Sequence, residues 1–232
     1  IAALRGGLAG QASVGTVLTP GTSLVPMAIE LVKQRRSGLL VNVELDYSKP
    51  LVKKLLQGDL DMLVARILDS QGAEELQFEP LAEEHHGVLA GAQHPLAGKQ
   101  GLTLRDLAGQ GWILPEQGSV LRDRLVGAFV QHGLQWPNNV VETTSLPVII
   151  SLLRTTNMVA VLPEAAVQPL CQSGMLSTLI KNVGVEIGPF GIITRRHHRL
   201  SPGAQILLAA LRETASKLYS GSAARRAAVS PA

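Results

Sequence analysis

Four short segments combine serine or threonine hydroxyls with neighbouring backbone amides at points where a strand is expected to pass into a helix. They are LTPGTS, DYSKP, PEQGSV and ETTSLP. In an α/β protein such segments lie at the carboxyl ends of strands, where the free N–H groups of a helix N-terminus carry partial positive charge. This chemistry suits a small carboxylate, a sulfate or a polar hydroxy acid, and it does not suit a large apolar ligand.

The elements that would position these segments alternate between strand and helix. ASVGTVL, LLVNVELDYS and LDMLVARI are predicted strands, separated by a helix over 24–36 and by the helix KPLVKKLLQG. From HHGVLAGAQHPLA onward, further strands alternate with helices that Thr103, Ser119, Ser145 and Ser201 are expected to cap. The inward face of the helix after Ser119 is predicted to carry Leu121, Leu125, Val126 and Phe129. This order predicts an α/β fold with parallel sheets and right-handed crossovers.

Composition and charge narrow the function classes. The chain has 232 residues, a hydrophobic content of 46%, an aromatic content of 3% and a formal net charge of +3. Basic residues form isolated spots such as RRHHR rather than a continuous face with aromatic platforms, so this chain alone is not expected to bind nucleic acid. No apolar run approaches the ~18–20 residues of a membrane span, so we expect no membrane partner and a cytoplasmic location.

Metal, redox and catalytic chemistry find no support in the sequence. Cys171 is the one cysteine, which excludes an intramolecular disulfide and a CxxC site. The pairs His85–His86 and His197–His198 are neighbours on extended chain, so their side chains diverge and do not chelate, and surface or hinge positions are expected for them. No GxSxG elbow, phosphate-binding loop, GxGxxG or HExxH motif is present. We therefore predict no cofactor, no metal and no enzyme activity.

Five segments in order resemble the effector-binding domain of LysR-type transcriptional regulators. They are VGTVLTPGTSLVP, LLQGDLDMLVAR, GVLAGAQHPLAG, VIISLLRTTNMVAVLP and LSPGAQILLAALRE. The segment LLQGDLD before a buried strand is the most specific of them. The resemblance covers 12–219. Two departures are the turn at 155–158, where the family usually has glycines, and the Pro20-Gly21 pair after the first strand.

The resemblance implies two Rossmann-like lobes joined by two crossover strands, as in type II periplasmic binding proteins. Lobe I would comprise 12–84 and 188–219, and lobe II would comprise 85–187. Residues 1–11 would be a linker remnant and 220–232 a disordered tail. A winged helix-turn-helix in the full-length protein would bind DNA, and dimers of this domain would build a tetramer.

The resemblance also implies a ligand site in the cleft between the lobes. It places Thr19 and Ser48 as hydroxyl contacts, with Gly21 and Thr22 in the same segment as Thr19. Arg66 would anchor a carboxylate. The facing turns of lobe II would contribute Gln117, Gly118, Ser119 and Ser145.

Other roles are open to several of these residues. Helix capping alone accounts for Ser119 and Ser145, at about 1 kcal/mol each. Gly21 fits a turn, and Arg66 fits a surface pair with Asp69, which is worth about 0–1 kcal/mol.

The predicted function is that of the sensor of a bacterial LysR-type regulator, which binds a small anionic or polar effector and so changes DNA binding by the full-length protein. A stand-alone solute-binding protein of a transport system is the alternative, since it would share the fold and the cleft. An enzyme on the same architecture is a third hypothesis.

Overall fold

The chain folds into two compact units, each built around its own five-stranded sheet. The computed structural model describes the backbone of residues 10–67 and 73–227 and the side chains of 10–67 and 74–219. Unit 1 comprises 1–83 and 188–232, and unit 2 comprises 84–187. The chain therefore passes from one unit to the other twice.

The sheet of unit 1 is mixed. Its strands are β1 (Gln11–Thr16), β2 (Leu40–Leu45), β3 (Met62–Ala65), β4 (Leu76–Ala82) and β10 (Phe190–Arg195). Their order is β2-β1-β3-β10-β4, in which β1 runs parallel to β2 and β3 while β10 runs antiparallel to β3 and β4. The carboxyl ends of β1, β2 and β3 consequently meet at one edge.

Helices cover both faces of this sheet. They are α1 (Leu18–Thr22), α2 (Leu24–Arg35), α3 (Ser48–Gln57) and α8 (Pro202–Ala227). On one face α2 and α8 pack Val25, Leu207 and Leu211 against the strands, and on the other α3 packs Leu51 and Leu55. Burial on both faces explains why β3 is a continuous apolar run.

The sheet of unit 2 repeats this plan. Its strands are β5 (His86–Gly91), β6 (Gly111–Leu114), β7 (Val140–Glu142), β8 (Met158–Pro163) and β9 (Leu176–Ile180). The order is β7-β6-β8-β5-β9, with β6 parallel to β7 and β8, and with β5 antiparallel to β8 and β9. Its helices are α4 (Leu104–Leu107), α5 (Val120–Gln131), α6 (Leu146–Thr155) and α7 (Glu164–Gln172).

The core of unit 2 centres on Trp112. This side chain is fully buried, its Nε1 donates to the Leu107 carbonyl at 3.1 Å, and its ring meets Phe129 edge to face at 5.4 Å. A buried indole with its one donor satisfied stabilises the unit strongly, and truncation of such a residue to alanine typically costs about 3–5 kcal/mol.

The predicted α/β fold class is confirmed, as are several helix ends. Thr103 and Asp106 form a capping box at α4, and the Ser201 Oγ accepts from the Ala204 N–H at the start of α8. Gly58 ends α3 with a φ of +88°. None of the described helices is both long and apolar enough to cross a bilayer.

Other expectations were wrong. LTPGTS is not an open turn, because Leu18–Thr22 form α1. Val126 does not face inward and is 39% exposed. Helix α8 continues to Ala227, through part of the expected tail, and β1 begins at Gln11, inside the expected linker remnant. Residues 1–9 and 228–232 lie outside the described residues.

Candidate functional site

The first hydroxyl-bearing segment follows β1 and is folded into α1. Thr19 is buried, and its carbonyl accepts from the Thr22 Oγ1 at 3.0 Å and from the Ser23 Oγ at 2.9 Å. A side chain at Gly21 would place its Cβ 3.0 Å from the Thr16 Cγ2, so this position is restricted by close approach. Thr22 is exposed. The Thr22 hydroxyl and Gly21 therefore help to shape α1, which begins directly after β1.

The second segment follows β2 and begins α3. Ser48 is 4% exposed, and its Oγ accepts the backbone N–H of Arg66 at 3.1 Å. Because this contact occupies an acceptor position of the oxygen, the hydroxyl proton of Ser48 is left to donate. The backbone N–H of Asp46 donates to the Thr16 carbonyl at 3.2 Å and so joins this segment to the end of β1.

Arg66 stands just after β3 and is 5% exposed. Its Nε donates to the Gly188 carbonyl at 3.1 Å, and its guanidinium carbon lies 5.8 Å from the centroid of the Phe190 ring. The alternative of a surface position is therefore wrong, and its suggested partner Asp69 lies outside the described residues. A cation is thus held at the end of β3.

These contacts place Thr19, Ser48 and Arg66 at the same edge of the unit 1 sheet. They follow β1, β2 and β3, which are neighbours in the sheet, and the Val17 N–H donates to the Val64 carbonyl at 3.1 Å across the first and third of these strands. The three predicted contacts of unit 1 are consequently brought together.

The equivalent edge of unit 2 carries the segment between β6 and α5. Ser119 caps α5, since its Oγ accepts the backbone N–H of Arg122 at 3.3 Å. Gly118 has a φ of +80°, a conformation that favours glycine, and both it and Gln117 are exposed. The predicted cap is confirmed, and, as with Ser48, the serine oxygen accepts a backbone N–H.

Ser145 differs from the capping role expected of it. It holds the N-cap position of α6, but its side chain makes no capping hydrogen bond. Instead, its own N–H donates to the Thr143 Oγ1 at 3.2 Å, and the Thr143 N–H donates to the Leu114 carbonyl at 3.0 Å. The segments after β6 and β7 are thereby joined at one edge, with the Ser145 side chain exposed.

Arg122 is a component of this edge that sequence reasoning missed. It is 8% exposed, and its Nη1 donates to the Pro115 carbonyl at 3.0 Å and to the Glu142 Oε1 at 2.5 Å. Its guanidinium carbon lies 5.7 Å from the centroid of the Trp136 ring. The sequence held a signal, because Arg122 shares the inward stripe of α5 with Leu125 and Phe129 at i, i+3 and i+7 spacing.

An open groove runs beside this helix within unit 2. It has a volume of about 380 Å³ and is lined by Gln117, Gly118, Arg122, Asp123, Val126 and Trp136. Its lining combines polar side chains with an indole ring and a valine, which gives the groove a mixed character.

The histidine whose hydrogen bonds are defined, His94, has a structural role. His86 is 2% exposed, so the expectation of a surface position fails for it, whereas His85 is exposed. His94 is buried: its Nδ1 accepts from the Leu96 N–H at 3.1 Å, which leaves Nε2 to donate to the Asn157 carbonyl, also at 3.1 Å. His94 thus holds the turn at 155–158 that departs from the family pattern.

The basic run RRHHR is anchored at its start rather than fully solvated. Arg195 donates to the Leu55 and Leu60 carbonyls, and Arg196 donates to the Leu76 carbonyl at 3.0 Å. Within the described residues, no group of three or more His, Cys, Asp or Glu side chains is placed to hold a metal ion.

Comparison with known proteins gives a family match over nearly the whole chain. The model of the LysR substrate binding domain matches residues 5–216. Among curated proteins, the HTH-type transcriptional regulator GbpR of Azospirillum brasilense is 29% identical over 211 residues, which is 90% of this chain and 61% of that protein. This chain spans about half to two thirds of the length of the curated relatives first matched.

Solved structures share the fold. The effector binding domain of QuiR in complex with shikimate is 17% identical, with a TM-score of 0.70 and coverage of 91% of this chain and 98% of that one. The regulatory domain of CcmR from Synechocystis PCC6803, in complex with 2-PG, is 18% identical, with a TM-score of 0.72 and coverage of 89% and 97%. At these identities the likeness establishes the fold alone.

Proposed function

The chain belongs to the LysR substrate binding domain family, and on this premise we propose that it senses a small effector with one carboxylate and further polar groups. Effector binding would regulate transcription by a longer protein that contains this chain. The two units would be the two lobes of the sensor, with lobe I formed by 12–84 and 188–219 and lobe II by 85–187.

One observation carries the ligand class. The Ser48 Oγ accepts the backbone N–H of Arg66 at 3.1 Å, and both residues are at most 5% exposed, so a serine and an arginine are held at the carboxyl edge of the unit 1 sheet. A hydroxyl proton and a guanidinium both donate, and a carboxylate is the partner that accepts from both. In unit 2, Ser119 offers a hydroxyl of the same kind at the equivalent edge.

The wider biology of the proposal follows from family membership. Regulators of this kind bind DNA through a winged helix-turn-helix, so we propose a DNA-bound dimer or tetramer acting in the cytoplasm. The effector would act through unequal affinity for two arrangements of that assembly, because a ligand with equal affinity for both shifts nothing. The proposal includes no catalytic step, because members of this family are matched as transcriptional regulators.

The test is a thermal-shift screen of shikimate, benzoate, succinate and related acids, followed by calorimetric titration of any compound that stabilises the chain. Ser48→Ala and Arg66→Ala should each weaken binding roughly 10- to 100-fold, because a hydrogen bond to a charged group is worth about 1.5–3 kcal/mol. Ser37→Ala is the matched control, since Ser37 is exposed and only its carbonyl accepts a hydrogen bond. A compound that binds wild type, Ser48→Ala and Arg66→Ala with equal affinity would refute the assignment.

A further inference from the structure

The side chain of Arg122 contacts the ends of two strands at the carboxyl edge of the unit 2 sheet. Its Nη1 donates to the Pro115 carbonyl at 3.0 Å and to the Glu142 Oε1 at 2.5 Å. Pro115 directly follows β6, and Glu142 is the last residue of β7. The backbone N–H of Arg122 donates to the Ser119 Oγ at 3.3 Å, at the start of α5. One residue of the helix therefore joins the ends of two neighbouring strands.

The setting of this arginine favours a fixed position. Arg122 is 8% exposed, and its guanidinium carbon lies 5.7 Å from the centroid of the Trp136 ring. The guanidinium group is planar, so two acceptors that share one of its nitrogens define its orientation. Movement away from these acceptors is disfavoured, because it would leave buried polar groups without partners. The arginine therefore ties the segment 115–119 to the end of β7.

The segment 115–119 carries three of the predicted ligand contacts, Gln117, Gly118 and Ser119. Gln117 and Gly118 are exposed, and Gly118 has a φ of +80°. Because glycine gives an exposed turn wide conformational freedom, the arrangement of this segment depends on what holds its two ends. Arg122 contacts both the first and the last residue of the segment.

We propose that Arg122 is a positioning residue, which holds the segment 115–119 against the end of β7 before the effector binds. This inference rests on the proposed function, in which Ser119 offers a hydroxyl to the effector, and it deepens that function. A ligand that binds only the held arrangement loses affinity in proportion to the fraction of molecules that adopt it. Loss of the guanidinium should therefore weaken binding although the residues that contact the effector are unchanged.

Backbone ¹⁵N relaxation measures the positioning without any effector. The ²H,¹⁵N-labelled chain would be compared as wild type, as Arg122→Met, which keeps an unbranched side chain, and as the matched control Arg124→Met, in which the lost arginine is exposed on the same helix. In wild type and the control, we expect order parameters of about 0.85, as in rigid backbone, for Gln117, Gly118 and Ser119. In Arg122→Met they should fall below about 0.6, or relaxation dispersion should show μs–ms exchange that wild type lacks.

A merely structural role for the arginine would leave these values unchanged, because a less stable variant still populates the folded state almost completely without urea. The urea midpoint shows whether Arg122→Met is folded. Glu142→Ala is the second variant, since its side chain is 44% exposed and its removal takes away the contact that ties the arginine to β7. We expect the same motions in it, with a smaller amplitude. A segment that is already flexible in wild type, or one that is equally rigid in both variants, would overturn the inference.

Calorimetric titration tests whether the positioning serves the effector. The probe is shikimate, benzoate or succinate, whichever binds wild type most tightly. Arg122→Met should weaken its binding at least tenfold and Arg124→Met less than threefold, and equal affinity in wild type and Arg122→Met would overturn the inference. Loss of binding in Ser48→Ala tests the proposed function separately. If none of these acids binds wild type, the proposed ligand class fails, while the relaxation comparison still supports or overturns the positioning.

Discussion

Replacement of Ser48 by alanine should destabilise the chain more than the same change at the other site serines. The Ser48 Oγ is the acceptor of the Arg66 N–H at 3.1 Å, and both residues are at most 5% exposed. Without the hydroxyl, a buried N–H loses its partner, which costs about 1–3 kcal/mol. Ser119→Ala removes a helix cap worth about 1 kcal/mol. Ser145→Ala removes no capping bond and should change the free energy of unfolding by less than about 0.5 kcal/mol.

Equilibrium unfolding in urea measures this order. Both tryptophans, Trp112 and Trp136, lie in unit 2, so fluorescence follows unit 2 while far-UV circular dichroism follows both units. Ser48→Ala should lower the melting temperature by roughly 2–12 °C, from about 2–4 °C for each kcal/mol in a chain of this size. Ser145→Ala serves as the control on the same scale.

The order of ligand affinities should differ from the order of stabilities. Ser145 is one of the predicted ligand contacts, and its side chain is exposed, so Ser145→Ala should weaken binding although it leaves stability unchanged. Equal unfolding midpoints for Ser48→Ala and Ser145→Ala would refute the reasoning, because they would mean that the Arg66 N–H does not depend on the serine oxygen.

Two further predictions concern packing and pH. Gly91→Ala should destabilise unit 2 by on the order of 3 kcal/mol, because the new Cβ would lie 2.2 Å from the Leu153 carbonyl oxygen. Gly109→Ala is the control and should be nearly neutral in the same urea experiment, because its new Cβ would meet no atom within 4 Å. The Thr103 hydroxyl, with the Thr103 backbone N–H, holds the pKa of Asp106 below its ordinary value. A lowered pKa contributes stability that is complete above the ordinary carboxyl range and is lost as the pH falls through the lowered pKa. Wild type should therefore lose stability more steeply than Asp106→Ala below about pH 4, and parallel curves would contradict this.

The sequence could predict elements whose local signals agree with their final environment. The continuous apolar run of β3 predicts a buried strand, and helices do cover both of its faces. Ser201 and Pro202 predict the start of α8, because serine is a common N-cap and proline is common at the first helical position. Strands β4 and β9 escaped prediction. Both strands lie at the ends of their sheets. Strand β4 contains Glu79 and Pro80, which are tolerated in an edge strand, and its extended structure depends on pairing with β10.

The short helix α1 was missed for a related reason. Pro20 and Gly21 together read as a turn, yet a proline in the first turn of a helix loses no hydrogen bond, and the Gly21 N–H donates to the Val17 carbonyl at 3.0 Å. In the candidate site the serine cap of α5 was predictable from its spacing. The Arg122–Glu142 pair was not, because it joins positions that only the parallel pairing of β6 and β7 brings together.

The chemistry that ends strands and starts helices also limits what this chain can bind. A serine that accepts a backbone N–H, as Ser48 and Ser119 do, satisfies a donor that folding would otherwise leave without a partner. The same contact uses an acceptor position of the serine oxygen and not its proton, so the hydroxyl can still donate to a ligand. We therefore propose that each of these serines favours a ligand group with an acceptor oxygen.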